Sequence, residues 1–244
     1  MKLSIDLHMH SCLSPCGDED MTPENLVGMA FLNGLDVIAL CDHNTARNVP
    51  AAAHAARERD LVLLPGLEVT TREEVHVLCY FETVEQALEF SDALYPHIPD
   101  MPNVPRFFGR QVLMGPEDCV LGEEEKLLVS ATDLSIEDCI ALAQDFGGLC
   151  VAAHVNRGAN GLITNLGFVP PSAKFAALEM HRASPAPMQD LGKYKIFYAS
   201  DAHRLEDMPD GGADWLEAEE RSVEAVFRKL QEYYHRVHGK VKNG

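Results

Sequence analysis

Histidines and carboxylates end or interrupt six apolar, strand-like runs of this 244-residue chain. The runs cover residues 4–7, 36–41, 61–67, 75–78, 149–153 and 196–200, and the polar residues that accompany them are His8 and His10, Asp42 and His43, Glu68, His76, His154, and Asp201 and His203. Imidazole and carboxylate groups are the ligands that borderline divalent metals prefer. The carboxyl ends of barrel strands are also where barrel enzymes carry their chemistry. The pattern therefore predicts a metal site at one face of a sheet.

The strongest local signal is the pair formed by His8 and His10. Residues i and i+2 of a strand point to the same face, so both rings can bind one ion. Such a pair also occurs by chance in sheets, but similar pairs follow two further strands, and packing does not readily explain all three. A solvated strand end for Glu68 and a hydrogen-bonded core position for His76 remain the alternatives to ligand roles.

Composition limits the partners of the chain. Its net charge of −18 argues against broad electrostatic binding to nucleic acid, which needs clustered Lys and Arg. A cleft loaded with metal ions can still hold an anionic substrate. We therefore expect a small phosphorylated substrate and no large nucleic-acid surface.

The cysteines and the apolar runs bear on the compartment. The seven cysteines include no CxxC spacing, which indicates reduced thiols. Cys12 and Cys16 lie beside the first histidine pair, and we favour a reduced loop pair, with a metal or redox role as the alternative. The sequence shows neither a signal peptide nor a run long enough to span a membrane. We expect a cytoplasmic protein with no membrane partner, and its oligomeric state stays open.

Strand and helix signals alternate along the chain. Thr22 and Pro23 predict a helix start, and helical patterns cover residues 49–59, 84–95, 135–146 and 221–238. Two further strands are predicted at residues 175–180 and 195–199. Strands separated by single helices predict parallel βαβ units and an α/β fold. The length fits one barrel or two small domains, and we expect a single barrel domain over residues 1–244 with a frayed tail at 239–244.

Residues 96–133 break this alternation. They hold five prolines up to Pro116 and a possible hairpin over residues 111–121. The segment is too long for an ordinary loop, and we expect an insertion between strands four and five that forms a rim or lid. Arg106 and Arg110 in it can reach a phosphate or remain surface charges, and we favour the surface.

Taken together, the motifs resemble those of the polymerase and histidinol phosphatase (PHP) family of metal-dependent phosphoesterases. The motifs are His8-x-His10, residues 42–45, residues 66–68, the strand of His76, Ala153-His154-x-x-Arg157 and residues 200–203, and they span about residues 3–208 in the family's order. The resemblance implies a distorted (β/α)7 TIM-like barrel with two or three divalent ions.

The resemblance also implies a ligand set. One ion would be held by His8, His10, Glu68 and Asp201, a second by Glu68, His76 and His154, and a third by Asp18, His43 and His203. Asp18 is favoured as the loop ligand by its distance from the Thr-Pro helix start, with Asp20 as the alternative. A set of nitrogen and oxygen ligands suits Mn²⁺, Fe²⁺ or Zn²⁺.

The implied reaction is hydrolysis of a phosphate ester of a small metabolite or nucleotide by metal-activated hydroxide. Arg157 is expected to clamp the phosphate, and His203 is a candidate proton donor if metal does not fully engage it. Asn156 and His181 are candidate substrate contacts, with a turn role as the alternative for Asn156. The alternative functions are a 5′–3′ exonuclease on short oligonucleotides, a non-catalytic PHP accessory domain and an amidohydrolase-like C–N hydrolase.

Overall fold

The computed structural model describes residues 1–239. The frayed tail expected at 239–244 therefore lies, except for Gly239, outside the described residues. The strands are β1 (Lys2–Met9), β2 (Val37–Leu40), β3 (Val62–Thr70), β4 (His76–Tyr80), β5 (Val112–Met114), β6 (Val120–Glu123), β7 (Leu149–Ala152), β8 (Ala177–Met180), β9 (Lys195–Tyr198) and β10 (Asp214–Glu217). The helices are α1 (Pro23–Leu32), α2 (Val49–Glu58), α3 (Val84–Leu94), α4 (Pro105–Phe108), α5 (Ile136–Asp145), α6 (Leu162–Leu166) and α7 (Val223–His238).

Eight strands form one sheet in the order β10-β1-β2-β3-β4-β7-β8-β9. The sheet curls into a nearly closed barrel, because the chain after β9 returns to β1. There Ala202 forms a parallel bridge with Met9, and the His10 amide donates to the Ala202 carbonyl at 2.9 Å. At the other end, β10 pairs antiparallel with β1, and Asp214 accepts a hydrogen bond from the Tyr198 amide at 3.1 Å. The predicted α/β barrel is confirmed.

The strand directions differ from the prediction of uniformly parallel units. Strand β4 runs antiparallel to both β3 and β7, whereas β1–β2, β2–β3, β7–β8 and β8–β9 are parallel. The reason lies in the connection: β3 and β4 are separated by only residues 71–75, and a parallel crossover needs a dozen residues or more. The first residue of β4, His76, therefore lies opposite Thr70, the last residue of β3, at the end of the sheet where β7 also finishes.

Strand β10 is an eighth barrel strand that the sequence pattern did not reveal. It has four residues, and only Leu216 among them is buried. A strand this short carries too little alternation of apolar and polar residues to be recognised.

Local signals account for the helix starts. Thr22 caps α1 by accepting a hydrogen bond from the Asn25 amide, and Pro23 occupies the first turn. Ser135 and Asp138 form a reciprocal capping box at α5. These caps fix where the helices leave the barrel rim. Among the described residues, no helix combines the length and the apolar character needed to cross a membrane.

The segment between β4 and β7 carries α3, the short helix α4, the hairpin β5–β6 and α5. The hairpin forms a separate two-stranded sheet that reaches Glu123, two residues beyond the predicted range. Its first strand begins against the loop that follows β1, where the Val112 amide donates to the Cys12 carbonyl at 2.9 Å. Gly109 packs so closely on Pro15 that an added Cβ would lie 2.0 Å from the Pro15 carbonyl oxygen. The inserted segment is therefore in direct contact with the loop after β1.

Candidate functional site

A single buried carboxylate is the centre of the site. Glu68 lies within β3 and is fully shielded from solvent. Five imidazole rings place a nitrogen within 3.4 Å of its two oxygens: His8 at 3.3 Å, His10 at 3.4 Å, His43 at 3.1 Å, His76 at 2.9 Å and His154 at 3.2 Å. Side chains from β1, β3 and β4 and from the loops that follow β1, β2 and β7 thus converge on one point.

A second carboxylate, Asp201, lies on the other side of the first histidine pair. Its Oδ1 atom is 3.4 Å from His8 Nε2 and 3.2 Å from His10 Nε2. The two Nε2 atoms are themselves only 3.1 Å apart, as the i and i+2 spacing on β1 predicts. His203, two residues beyond Asp201, places its ring 4.2 Å from that of His10 between centroids.

Main-chain pairing at the mouth of the barrel positions these groups. The chain after β2 continues alongside β3, because the Glu68 amide donates to the Asp42 carbonyl and the Asn44 amide donates to the Glu68 carbonyl. This pairing brings His43 beside Glu68. His76 reaches the same place because β4 runs in the opposite direction.

Two of the converging residues have an unusual backbone conformation. His154 has a φ of 25° and Asp201 a φ of 53°, both in the left-handed region that non-glycine residues seldom adopt. Such conformations cost free energy and cluster at functional sites. Each lies just after a barrel strand, at the point where the chain turns away from the sheet.

Several buried polar atoms at the centre lack hydrogen-bond partners. They are Glu68 Oε2 and the Nδ1 atoms of His43, His76 and His154. His76 Nδ1 is only 2.9 Å from a Glu68 oxygen, yet the geometry is not that of a hydrogen bond. Lone pairs that converge without protons between them fit divalent cations, since buried polar groups otherwise find partners.

The ligand atoms fall into three groups whose members lie within 4.8 Å of one another. The groups are His8, His10 and Asp201; His43, Glu68 and His76; and His10, His43 and His203. The site can hold metal ions of the kind that imidazole and carboxylate bind.

The electrostatics of the two carboxylates agree with this arrangement. Burial alone would raise the pKa of Glu68, but the rings of His76 and His8 hold its pKa well below the ordinary value. The pKa of Asp201 is likewise lowered, because His8 and His10 outweigh the effect of burial. Both groups are therefore charged and able to bind cations at neutral pH.

The structure does not bring the expected loop ligand to the site. The side chains of Asp18 and Asp20 are exposed, and Asp18 accepts a hydrogen bond from the Asp20 amide at 3.1 Å instead of turning inward. Neither residue joins the ligand groups of the described chain. The assignment of Asp18, and its alternative Asp20, is corrected on this ground.

Cys16 belongs to the same loop and is exposed beside His43 and His203, whose rings act on its thiol. Burial would raise the pKa of this thiol, but the two rings lower it to about 6. Cys12 is buried towards Val112, and both cysteines are free thiols, as expected for a reduced loop pair.

Two residues that orient the ligand rings, Glu179 and Ser14, were also missed. Glu179 on β8 binds His8 Nδ1 at 2.9 Å, and the Ser14 hydroxyl binds His10 Nδ1 at 2.9 Å. Asp42 acts indirectly, because its carboxylate accepts a hydrogen bond from the Ser14 hydroxyl at 2.7 Å. Glu179 had a visible signal, a carboxylate within the apolar run of residues 175–180. Such outer partners fix the tautomer and direction of a ligand imidazole.

The expected substrate-contacting residues have different positions. Arg157 is partly exposed and pairs with Asp201 at the rim of the site. His181 lies beside the same rim, with Nδ1 at 3.0 Å from the Ser184 hydroxyl. The Asn156 side chain instead donates from Nδ2 to the His181 carbonyl and accepts from the His181 amide at Oδ1, which is the turn role.

Two connected cavities give access to the ligands. An inner cavity of about 130 Å³ is lined by His43, Glu68, His76 and His154. An outer cleft of about 550 Å³ is lined by Cys16 and His181, and Arg157, Asp201 and His203 border both. A phosphate group in the outer cleft would therefore lie next to the ligand cluster.

Comparison with known proteins gives a consistent family. Residues 6–97 match the PHP domain family. A 5′-3′ exoribonuclease from Haemophilus influenzae is 37% identical over 81 residues, which are 32% of this chain and 28% of that protein. A 3′,5′-nucleoside bisphosphate phosphatase from Chromobacterium violaceum is 35% identical over 78 residues, 30% of this chain and 26% of that protein. The family resemblance is confirmed. The chain matches less than a third of the length of these relatives.

The fold has counterparts among solved structures. A lesion-specific endonuclease from Pyrococcus furiosus superposes with a TM-score of 0.69 at 18% identity, covering 95% of this chain and 56% of that one. This likeness concerns the fold alone.

The comparisons overturn one expectation. We expected a small phosphorylated substrate and no large nucleic-acid surface, on the strength of the acidic net charge. A curated relative is named as an exoribonuclease, which contradicts that expectation. Net charge was a poor guide because it averages over the surface and ignores cations bound at the site.

Proposed function

Since residues 6–97 match the PHP domain family, we propose that this protein is a metal-dependent phosphoesterase that removes nucleotides from the end of short single-stranded nucleic acids. The observation that carries the proposal is the convergence of five imidazoles on Glu68, with Asp201 opposite. The relatives named as exoribonuclease and nucleotide phosphatase support a phosphate ester as the bond that is cleaved.

Divalent ions at such a cluster would lower the pKa of water from about 15.7 towards 7 and neutralise charge on the phosphate. The chain's own residues then have distinct roles. Arg157 borders both cavities, and its planar fork matches two phosphate oxygens. Its present partner, Asp201, holds the guanidinium at the rim until a phosphate competes for it.

His203 is the proposed proton donor to the leaving oxygen in a step at which no metal ion occupies its Nε2 atom. Its side chain keeps about a quarter of its surface exposed at the border of the outer cleft. Its Nδ1 atom lies 2.8 Å from the Asp201 carbonyl, and donating there would leave Nε2 for a ligand or a proton. Nearby charge from Cys16 and Asp201 outweighs burial and raises the pKa of His203, which favours the protonated ring.

An exposed aromatic pair supports a nucleic-acid strand as substrate. Phe107 and Phe108 on α4 are 70% and 44% exposed, and the Arg106 guanidinium lies 4.5 Å from the Phe107 ring centre. Bases stack on exposed aromatic rings whatever their sequence, and arginine adds a cation–π contribution. Gly109, which directly follows α4, packs on Pro15, the residue before Cys16, and we infer that a strand leaving the outer cleft can reach the aromatic pair.

The test uses a 5′-labelled oligoribonucleotide with added Mn²⁺ or Zn²⁺. We expect stepwise release of nucleotides by the wild-type protein and none by His8→Ala or after chelation. Release that survives both treatments would reject the metal-dependent mechanism. Hydrolysis of p-nitrophenyl phosphate without any cleavage of the oligoribonucleotide would reject the nuclease assignment.

The substrate class has its own control. Phe107→Ala should raise KM for the oligoribonucleotide without changing KM for p-nitrophenyl phosphate, because only the longer substrate reaches the aromatic pair. Phe31, 55% exposed near the end of α1, provides the matched variant Phe31→Ala. An equal effect of both variants would show that the aromatic pair on α4 makes no specific contact.

A further inference from the structure

We propose that the sulfur of Cys16 is a metal ligand, completing with His43 and His203 the position for which the sequence motif predicted a loop carboxylate. The inference rests on the proposed metal-dependent function. It gives the site one soft donor among nitrogen and oxygen ligands, and therefore a preference for Zn²⁺ over Mn²⁺ at that position.

The loop that carries Cys16 is held in one conformation. The Ser14 amide donates to the Ser11 carbonyl at 3.1 Å, and the Gly17 amide donates to the Ser14 carbonyl at 2.9 Å, so Cys16 lies inside the second of two successive tight turns. The Ser14 hydroxyl is anchored on buried Asp42 and also receives the His43 amide at 3.2 Å. The turn is thereby tied to the residue whose ring the thiol contacts.

The next residues explain why sulfur and not a carboxylate reaches the rings. An added Cβ at Gly17 would lie 2.5 Å from the Ser11 carbonyl oxygen, so the chain here folds against its own start. The Asp18 amide donates to the His203 carbonyl at 2.8 Å, which pins the main chain of residue 18 beside the site. Its carboxylate then turns to the Asp20 amide and solvent.

The rings beside Cys16 belong to a buried group of ligand atoms. His43 is 95% buried, and its Nδ1 atom lies 3.1 Å from Glu68 Oε2 without a hydrogen bond, which leaves its Nε2 atom for a second ligand position. His43 and His203 already belong to one group of nitrogen atoms, with His10, that lie within 4.8 Å of one another. Cys16 borders the outer cleft together with His203, so its thiol is accessible from the same side. One thiolate added to imidazoles is a donor set typical of zinc.

The test reads the ligand directly and not through activity. Metal-free protein is loaded with Co²⁺, and thiolate-to-cobalt charge-transfer absorption is recorded in the near ultraviolet. We expect the band in the wild type and in Asp18→Asn, and its loss in Cys16→Ser. Cys119, which is exposed on the inserted segment, provides the matched control Cys119→Ser, which should keep the band.

Two further measurements use zinc. Loss of a residue that hydrogen-bonds a metal ligand costs roughly 10–100-fold in metal affinity. Cys16→Ser removes a ligand itself and should weaken the binding of one Zn²⁺ by at least as much. Cys16→Asp should shift the selectivity of that position towards Mn²⁺. Iodoacetamide should label Cys16 in the metal-free protein, and Zn²⁺ should prevent the labelling, as read by peptide mass.

The outcomes separate this proposal from the proposed function. A charge-transfer band that persists in Cys16→Ser, or one that disappears in Asp18→Asn, overturns the assignment of sulfur as the loop ligand. A disulfide between Cys12 and Cys16 in the metal-loaded protein overturns it as well. If the band depends on Cys16 while the wild type cleaves no oligoribonucleotide, the ligand assignment stands and the nuclease assignment fails.

Discussion

Replacing Glu179 with Gln tests whether the rings at the barrel mouth are oriented for metal binding. Glu179 is almost completely buried, and its two oxygens accept hydrogen bonds from His8 Nδ1 at 2.9 Å and from the His154 amide at 3.3 Å. A glutamine of the same shape has only one oxygen, so its NH₂ group must face one of these two donors. One ligand residue therefore loses its fixed orientation in Glu179→Gln.

The size of the effect follows from these contacts. Loss of an outer partner of a ligand imidazole costs about 10–100-fold in metal affinity, which corresponds to about 1.4–2.7 kcal/mol. Leaving a buried donor unpaired also lowers the free energy of unfolding of the metal-free protein by about 1–3 kcal/mol. The assay is competition for Zn²⁺ and Mn²⁺ against a chromogenic chelator, combined with urea unfolding.

The matched control is Glu124→Gln. Glu124 lies in the inserted segment and is also buried. Its carboxylate accepts hydrogen bonds from Arg47 at 3.1 Å and from the Tyr95 hydroxyl at 2.8 Å, outside the ligand groups. The control should lose stability and keep its metal affinity. Equal metal affinities for Glu179→Gln and the wild type would refute the idea that Glu179 orients His8.

Three further predictions follow from single contacts. Arg157→Ala should raise KM and lower kcat for phosphate esters, by up to roughly 100-fold, with metal content unchanged, and unaltered kinetics would remove Arg157 from the site. Gly109→Ala should lower the free energy of unfolding in urea by more than Gly34→Ala. Both glycines have a positive φ, which costs an alanine about 1–2 kcal/mol, but only at Gly109 does the new Cβ meet the Pro15 carbonyl. Equal losses of stability in the two variants would contradict this contact. Tyr80→Phe should lower the free energy of unfolding by about 1–3 kcal/mol, because the hydroxyl bonds a buried β1 carbonyl at 2.6 Å across the barrel, and an unchanged urea midpoint would show that this bond contributes nothing.

Much of the fold could be predicted because strands and helices follow local rules. Apolar runs located seven barrel strands, and caps such as Thr22 and Ser135 located helix starts. The direction of β4 was missed because alternation of elements does not specify it. The five residues between β3 and β4 were the available signal, since that length allows a hairpin and not a crossover.

Prediction of which side chains converge succeeded where they follow strand ends and failed in the loop after β1. Spacing brought His8 and His10 together correctly, because strand geometry is regular. Asp18 was chosen by its distance from a helix start, but hydrogen bonds of Ser14 and Gly17 set the loop and leave Cys16 at the border of the outer cleft instead. Such tertiary contacts are not visible in residue spacing.

Ala202 has a consequence for how the protein would respond to metal. It closes the barrel by pairing with β1, and its two neighbours along the chain, Asp201 and His203, belong to the ligand groups. An ion held by His10 and either of these two residues would link the segment after β9 to β1. Proton exchange at the His10 amide, which donates to the Ala202 carbonyl, should therefore slow when Zn²⁺ is added. The ligand cluster would then stabilise the closed barrel as well as prepare it for chemistry.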